Sequence, residues 1–228
     1  RETLVPFAFE RTQAGVEHLQ AARDFLAGRQ VEGHRAHRFI DSDLYKVMEG
    51  AAYLLQVSPD PKLEAKLDEL AELIAAAQHE NGYLYPSHTT GVGSSHLYEA
   101  AVAYYQATGK DKLLRVAEKS AQHINRVIFE GDPDYNQGQP IRQAPGHQEI
   151  ELALVKLFRV TGKPLYLEMA RKFLEIRGVT YVPDGEGVMA PTYAQQPAPV
   201  AEPREAVGHA VRATYLYSTM ADVGTLTG

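Results

Sequence analysis

A motif that recurs at a fixed spacing constrains the fold of this chain more than any other feature. Thr108-Gly109-Lys110 is repeated 53 positions later as Thr161-Gly162-Lys163, and each triplet follows an apolar segment. A weaker copy, Ser58-Pro59-Asp60, lies 50 positions before the first triplet. Repeats of this length are typical of chains that stack one supersecondary unit on the next. The sequence therefore predicts a fold built from one repeated unit of about 50 residues.

Each unit is predicted to be a pair of helices joined by a tight turn. Gly109 and Gly162 supply the left-handed residue that ends a helix, and Pro61 and Pro164 suit the first turn of the next helix. The apolar residues of that next helix fall on one stripe at helical spacing. The predicted second helices are 62–79, 111–127 and 165–177. The first helices, which include 100–105 and 150–158, are more apolar and should be buried. A fourth unit is predicted to begin at Glu205.

Strand signals are scarce, since only 179–182 with 188–189 could form a short hairpin. We therefore predict an all-α chain that forms a single helical domain over residues 1–228. Tetratricopeptide and HEAT solenoids also stack helix pairs, but their repeats are shorter and their connections are shorter. The long connections here, 78–95, 129–146 and 178–204, all lie at the same end of the units. This arrangement favours an α/α toroid with a functional site at that end.

The composition argues against several classes of function. A net charge of −6 is unfavourable for a nucleic-acid surface, which rests on cationic contacts. No apolar run reaches the roughly 18 residues of a membrane span, and the first residues do not resemble a signal peptide, so we expect a soluble chain of unknown compartment. The sequence has no Cys, which excludes disulfides and thiolate chemistry. No HExxH or similar pair occurs among the nine His residues, so no metal site is predicted.

Polar residues recur at the predicted starts of the first helices, at 41–46, 96–99, 145–149 and 205–209. If the units are equivalent, these groups surround one opening, where carboxylates and imidazoles can bind sugar hydroxyls and transfer protons. The candidate binding residues are Asp43, His147, Glu149 and His209. Tyr83, in the loop 81–86, is placed to stack on a sugar ring.

Each candidate also has a structural explanation. Asp41 and Asp43 could cap a helix by accepting backbone N–H groups. Glu205 and His209 are four residues apart, so they could form a pair on one helix face. His147 precedes a predicted helix and could be a structural histidine. The repetition, rather than any single residue, supports the functional interpretation.

Four stretches of the sequence resemble hallmark segments of glycoside hydrolase family 127. They occur in the same order as in that family and run through most of the chain, so together they are specific. The resemblance implies an (α/α)6 barrel that cleaves β-L-arabinofuranosides, of which this chain matches only the N-terminal and central portion. It also implies that His147 and His209 contact the substrate, with Asp43 nearby. The matching segments are 41–46 with 49–53, 78–84, 144–153 and 206–212.

The sequence departs from the family pattern at three places. The family keeps a His-Glu-Leu-Tyr stretch shortly before Gly-His-Leu-Tyr-Glu-Ala, whereas here 87–92 run almost directly into Gly93-Ser94-Ser95-His96. The acid/base Glu, the zinc-binding Glu-x-Cys and the Cys nucleophile that the resemblance implies all lie beyond the equivalent of Gly228. We therefore expect no zinc cofactor in this chain, and its catalytic residues stay unknown. Pro197 and the segment 201–203 stand where the family pattern leads us to expect His and Arg or Gln.

Two hypotheses about function follow. The first is a carbohydrate-active domain of the β-L-arabinofuranosidase type that is inactive as it stands, because covalent retention needs both a nucleophile and a proton donor. Its own carboxylates could supply at best Asp43 with Glu149 or Glu205. The second is an engineered or non-catalytic helical scaffold that binds sugars or proteins. About four helix pairs cannot close a ring of six, so the open edge could also pair two copies into a homo-oligomer.

Overall fold

The computed structural model describes residues 3–31, 40–84, 92–180 and 190–228. Within these ranges the chain is helical, and β-structure is limited to one bridge between Gln78 and Leu84. None of the described helices is long and apolar enough to cross a bilayer. The helices are α1 (Leu4–Arg11), α2 (Gln13–Leu26), α3 (Ile40–Val57), α4 (Pro61–Ala76), α5 (Val92–Thr108), α6 (Lys112–Asn125), α7 (Glu149–Thr161), α8 (Pro164–Ile176) and α9 (Ala210–Thr227), with a π-helical turn at Arg126–Glu130 and a 3-10 turn at Asn136–Gly138.

The chain divides into two compact units, residues 1–123 and 124–228. In the first unit α3 packs against α5, and α2 packs on α3 and α4. In the second unit α7 packs against α8 and α9. The predicted first helices are buried as expected: residues 95–104 of α5 are all buried, and so is most of α7. The predicted extent of one domain over residues 1–228 stays a prediction.

The turn between the two helices of a pair repeats its hydrogen bonds, as the Thr-Gly-Lys repeat predicts. Gly109 and Gly162 have φ values of +71° and +69°, a region that favours glycine. Their amides donate to the carbonyls four residues earlier, at 2.8 Å in both turns. The hydroxyls of Thr108 and Thr161 likewise donate to the carbonyls four residues earlier at 2.8 Å. The same triplet therefore produces the same local structure in both units.

The predicted second helices are confirmed to within a few residues as α4, α6 and α8. Asp60 caps α4, because its carboxylate accepts the amides of Lys62 and Leu63 at 3.0 and 3.2 Å. The hairpin prediction is wrong for Val179 and Thr180, whose amides both donate to the carbonyl of Ile176 at 3.1 Å and extend the turn after α8. The rest of that hairpin, 181–189, lies outside the described residues.

The prediction that the fourth helix-pair repeat begins at Glu205 is also wrong. Gly208 has a φ of +74°, which a regular helix does not allow, and α9 begins only at Ala210 with His209 as its N-cap. Glu205 is exposed and precedes the helix. Glu205 and His209 therefore do not share a helix face, and the intrahelical pair considered above does not form.

Candidate functional site

In the first unit, buried polar side chains lie in the early turns of α3 and α5. Asp41, His96 and Glu99 are all nearly inaccessible to solvent. His96 and Glu99 lie one turn apart on α5, and Nδ1 of the imidazole is 3.8 Å from Oε2 of the carboxylate. An imidazole–carboxylate pair is thus held inside the unit at the start of a first helix.

The structure places the candidate Asp43 on the surface and its neighbour Asp41 in the interior. The side chain of Asp43 is 66% exposed, and its carboxylate lies 3.3 Å from the ammonium group of Lys46. Asp41 accepts the amide of Ser42 at 3.0 Å. Burial raises the pKa of the Asp41 carboxyl, although nearby backbone N–H groups and His96 oppose that shift. The carboxylate that faces the interior with His96 is therefore Asp41.

Tyr83 lies in a cluster of aromatic side chains rather than on a bare surface. Its ring centroid is 5.6 Å from that of His79 and 5.9 Å from that of His123. The turn that carries it is closed by the amide of His79, which donates to the carbonyl of Tyr83 at 2.8 Å. Burial lowers the pKa of His79. The half-buried ring of Tyr83 thus packs edge-on or tilted against two imidazoles.

In the second unit, His147 and Glu149 form a similar pair at the start of α7. Nδ1 of His147 is 3.5 Å from Oε2 of Glu149, whose side chain has no exposed surface. The ring of His147 packs against Tyr215 of α9, with centroids 5.4 Å apart. Both units therefore carry an imidazole–carboxylate pair near the N-terminal end of the first helix of a repeat.

A buried arginine fixes the segment that carries this second pair. Arg177, at the end of α8, is fully buried with Glu151 of α7, and its Nε lies 2.5 Å from Glu151 Oε1. The same guanidinium donates to the carbonyls of Pro145 and His147 at 2.9 and 3.3 Å. Burial raises the pKa of Glu151, and the charge of Arg177 opposes that effect. Arg177 thus joins α8 to the backbone on both sides of Gly146.

His209 is held by its role as the N-cap of α9. Its Nδ1 accepts the amide of Arg212 at 3.5 Å, and its ring packs edge-on against Tyr193 with centroids 5.3 Å apart. The guanidinium of Arg212 lies 5.0 Å from the centroid of Tyr193, within the range of a cation–π contact. Tyr193 is therefore enclosed between an imidazole and a cation.

Glutamine side chains connect the loop 190–209 to α7 and α8. The amide nitrogen of Gln148, a fully buried residue, donates to the carbonyl of Ala194 and, at 2.9 Å, to Oε1 of Gln195. Oε1 of Gln196 accepts the amide of Gly178 at 3.2 Å. Such buried amides are common where a loop must be fixed without regular secondary structure, because each bond satisfies a polar group that water cannot reach.

Sequence reasoning did not select several of these residues. Asp41 could have been found, because it lies on the same helical stripe as the buried Leu44, Tyr45 and Met48, whereas Asp43 does not. His96 and Glu99 lay in a segment recognised as polar but were not chosen. No local pattern distinguishes Arg177 or Gln195, and Gln148 lay in a segment recognised as polar but was not chosen.

A cavity of about 240 Å³ opens in the second unit between the segment 200–207 and α9. Gln195, Arg204, Glu205 and Tyr217 line it, together with apolar residues. His147 and His209 are not among the lining residues. Glu205, the alternative carboxylate of the sequence analysis, therefore belongs to this groove and not to the histidine cluster.

The donor groups of these residues do not fit the zinc site that the family resemblance implies. That site uses thiolates, and the sequence contains no Cys. No chemical step is therefore assigned to a metal.

Solved glycoside hydrolases share this fold. A structure described as a GH127 β-arabinofuranosidase matches all of the chain at 38% identity with a TM-score of 0.85. Ara127N, a GH127 β-L-arabinofuranosidase from Geobacillus stearothermophilus T6, matches all of it at 33% identity with a TM-score of 0.87. The agreement confirms the predicted fold class, an all-α chain of the α/α-toroid type, and defines a helical glycoside hydrolase domain.

The family model of the β-L-arabinofuranosidase GH127 catalytic domain matches residues 3–228, and the chain belongs to that family. The non-reducing end β-L-arabinofuranosidase of Bifidobacterium longum subsp. longum is 35% identical over 244 aligned positions, which cover 92% of this chain. The chain spans 36% of that relative and 37% and 40% of the two solved structures. The family resemblance inferred from the sequence segments is thus confirmed.

Proposed function

We propose that this chain forms the part of a β-L-arabinofuranosidase catalytic domain that binds the arabinofuranosyl group. The observation that carries the proposal is an imidazole–carboxylate pair near the N-terminal end of a first helix in each unit: the buried His96 with Glu99, and the half-buried His147 with the buried Glu149. Burying such groups costs free energy that apolar residues would not cost. A scaffold with no polar ligand would gain nothing from two such pairs.

The chemistry of these groups suits a sugar. A carboxylate accepts hydrogen bonds from hydroxyl groups, and an imidazole can both donate and accept them. Each imidazole lies beside a carboxylate within a packed unit, so its side chain has less conformational freedom to lose when a ligand binds. His209, held by the backbone of α9, adds a further oriented imidazole in the second unit.

We further propose that these 228 residues bind the sugar without hydrolysing it. Covalent retention requires a nucleophile on one face of the sugar and a proton donor on the other. The nucleophile that the family resemblance implies is a Cys, and this sequence has none. The exposed Asp43, paired with Lys46, is a poor substitute for a buried nucleophile.

Titration calorimetry with methyl β-L-arabinofuranoside tests the binding proposal. We expect the 228-residue chain to bind this sugar saturably and not to bind its D-enantiomer. Glu149→Gln should weaken binding by about tenfold, because a hydrogen bond to a charged group contributes about 1.5–3 kcal/mol. Glu205→Gln is the matched control, since Glu205 is exposed and lines a groove that neither His147 nor His209 lines. Absence of saturable binding at millimolar sugar would contradict the proposal.

Release of the chromophore from an aryl β-L-arabinofuranoside tests the proposal that the chain does not hydrolyse the sugar. We expect no release above the uncatalysed rate, with or without added zinc. Release by the 228-residue chain would show that a nucleophile other than Cys operates here. In that case Glu149→Gln and Asp43→Asn would identify which carboxylate takes part.

A further inference from the structure

Two residues of the second unit connect the segments that carry His147 and His209. The first is Arg212 of α9, whose Nη1 donates to the carbonyl of Gly146 at 2.9 Å. Its own backbone amide donates to Nδ1 of His209, and its guanidinium lies over the ring of Tyr193. One residue thus bonds to the backbone immediately before His147 and to the side chain of His209.

The second is Gln195, which connects the residue after His147 to the segment that carries His209. Its Oε1 accepts from the amide nitrogen of Gln148, the residue immediately after His147, at 2.9 Å. Its Nε2 donates to the carbonyls of Val207 and His209, both at 3.0 Å. Gln195 holds this position with a φ of +56°, a backbone conformation that non-glycine residues adopt at a cost.

Both sequence neighbours of His147 are therefore hydrogen-bonded to a residue that also bonds to His209. From this pattern we infer that Arg212 and Gln195 are positioning residues that fix the two imidazoles relative to each other. The inference rests on the proposed function in one respect: it assigns the two histidines to a common ligand, the arabinofuranosyl group. Its geometric part concerns the second unit alone.

These connections are not needed to hold the helices together. Apolar burial already packs α7 against α9, with Leu154, Leu157, Leu216 and Val223 all buried. Arg177 fixes the carbonyls of Pro145 and His147 from α8 independently of α9. Cutting the Arg212 connection should therefore leave the fold intact and change only the placement of the imidazoles.

The same geometry sets the tautomer of His209. Because Nδ1 accepts a backbone N–H, the neutral ring carries its proton on Nε2 and presents an N–H donor from that atom. A donor of fixed direction is what a sugar oxygen requires. Long-range ¹H–¹⁵N spectra of the imidazoles distinguish this tautomer from the Nδ1–H form, so the N-cap geometry is open to direct test.

The experiment compares Arg212→Met with Arg159→Met in the 228-residue chain. Arg159 also links α7 to α9, through Asp222 at 2.7 Å, but on the exposed side and without contact to either histidine segment. In ligand-free spectra, Arg212→Met should shift the imidazole signals of both His147 and His209, and Arg159→Met should shift neither. The affinity for methyl β-L-arabinofuranoside should fall by about tenfold in Arg212→Met only, because small displacements of binding groups are costly.

Two further variants keep the test decisive. Arg212→Lys restores one donor to the Gly146 carbonyl and should recover most of the affinity. Gln195→Met removes the hydrogen bonds to Gln148, Val207 and His209 without adding a buried charge. It should shift the imidazole signals of both His147 and His209 while Arg212 is unchanged. It serves as the test if Arg212→Met does not fold.

Shifts confined to His209 in Arg212→Met, equal effects in Arg159→Met, or an Nδ1–H tautomer of His209 would each overturn the inference. If the wild-type chain binds no arabinofuranoside while the coupled shifts are seen, the proposed function fails and the positioning role stands. If the wild-type chain binds the sugar but the shifts are not coupled, the opposite holds.

Discussion

Glu151 and Arg177 form an ion pair in which neither side chain has any exposed surface, with Arg177 Nε 2.5 Å from Glu151 Oε1. The pair joins α7 to the end of α8, and Arg177 also bonds to two carbonyls of the segment that carries His147. Removing one partner of such a pair leaves the other charge buried and uncompensated. An ion pair whose loss should strongly destabilise the second unit thus lies next to its candidate site.

Arg177→Ala should lower the free energy of unfolding by about 3–5 kcal/mol, the range for breaking one side of a buried ion pair. Arg171→Ala is the matched control on the same helix. Arg171 pairs with Glu168 and Glu175 on the surface, and such pairs contribute at most about 1 kcal/mol. Urea denaturation followed by circular dichroism measures both changes. A loss from Arg177→Ala no larger than that from Arg171→Ala would mean that the buried pair adds little.

Asp41 gives the clearest dependence on pH. Burial raises the pKa of its carboxyl in the folded chain above the value in the unfolded chain, so the folded state holds the proton more tightly. The corresponding contribution to stability is present below the unfolded pKa and is lost as the pH rises through the raised, folded pKa. Asp41→Asn stays neutral and keeps an oxygen that can accept the amide of Ser42, so it avoids this loss.

The free energy of unfolding of Asp41→Asn, measured relative to wild type, should therefore increase as the pH rises above about 4, the pKa of an unfolded aspartate. The exposed Asp43 provides the control: Asp43→Asn relieves no burial of a charge and should show no such gain. Denaturant unfolding at several pH values measures both. A gain that is the same for Asp41→Asn at every pH would contradict burial as the cause.

The sequence predicted those parts of the fold that depend on local chemistry. The Thr-Gly-Lys turns form as expected because left-handed Gly109 and Gly162 and the threonine hydroxyls act on the few residues around them. The second helices were located because their apolar stripe has helical spacing. The start of α9 was missed, although a glycine at 208 was a sequence signal against a helix that begins at Glu205; in the structure its φ is +74°.

The candidate site was predicted only in part, for a physical reason. Helical periodicity favours Asp41 over Asp43 at the buried face of α3, and that signal was available in the sequence. The partners of Arg177 and Gln148 are 26 to 47 residues away in the chain, so no local pattern predicts these pairings. Such pairings follow from tertiary packing, which propensity and spacing do not encode.

Gly208 provides a test of how tightly the loop before His209 is fixed. It has a φ of +74°, and a Cβ there would lie 2.1 Å from the carbonyl oxygen of Thr192 and 2.6 Å from Nε2 of Gln195. Gly208→Ala therefore requires both a strained backbone and a shift of the loop. It should lower the free energy of unfolding by more than about 1 kcal/mol, the upper end of the entropic effect of a Gly-to-Ala change. It should also weaken sugar binding, because it displaces Gln195.

Gly224 is the matched control, since it lies within α9 and a Cβ there would meet nothing within 4 Å. Gly224→Ala should stabilise the chain by about 0.5–1 kcal/mol, because alanine is the better helix former. Thermal unfolding and calorimetric titration of both variants measure the two effects together. If Gly208→Ala were as stable as wild type and bound the sugar equally well, the loop 190–209 would be able to adjust, and the close packing of Gly208 against Thr192 and Gln195 would not fix the position of His209.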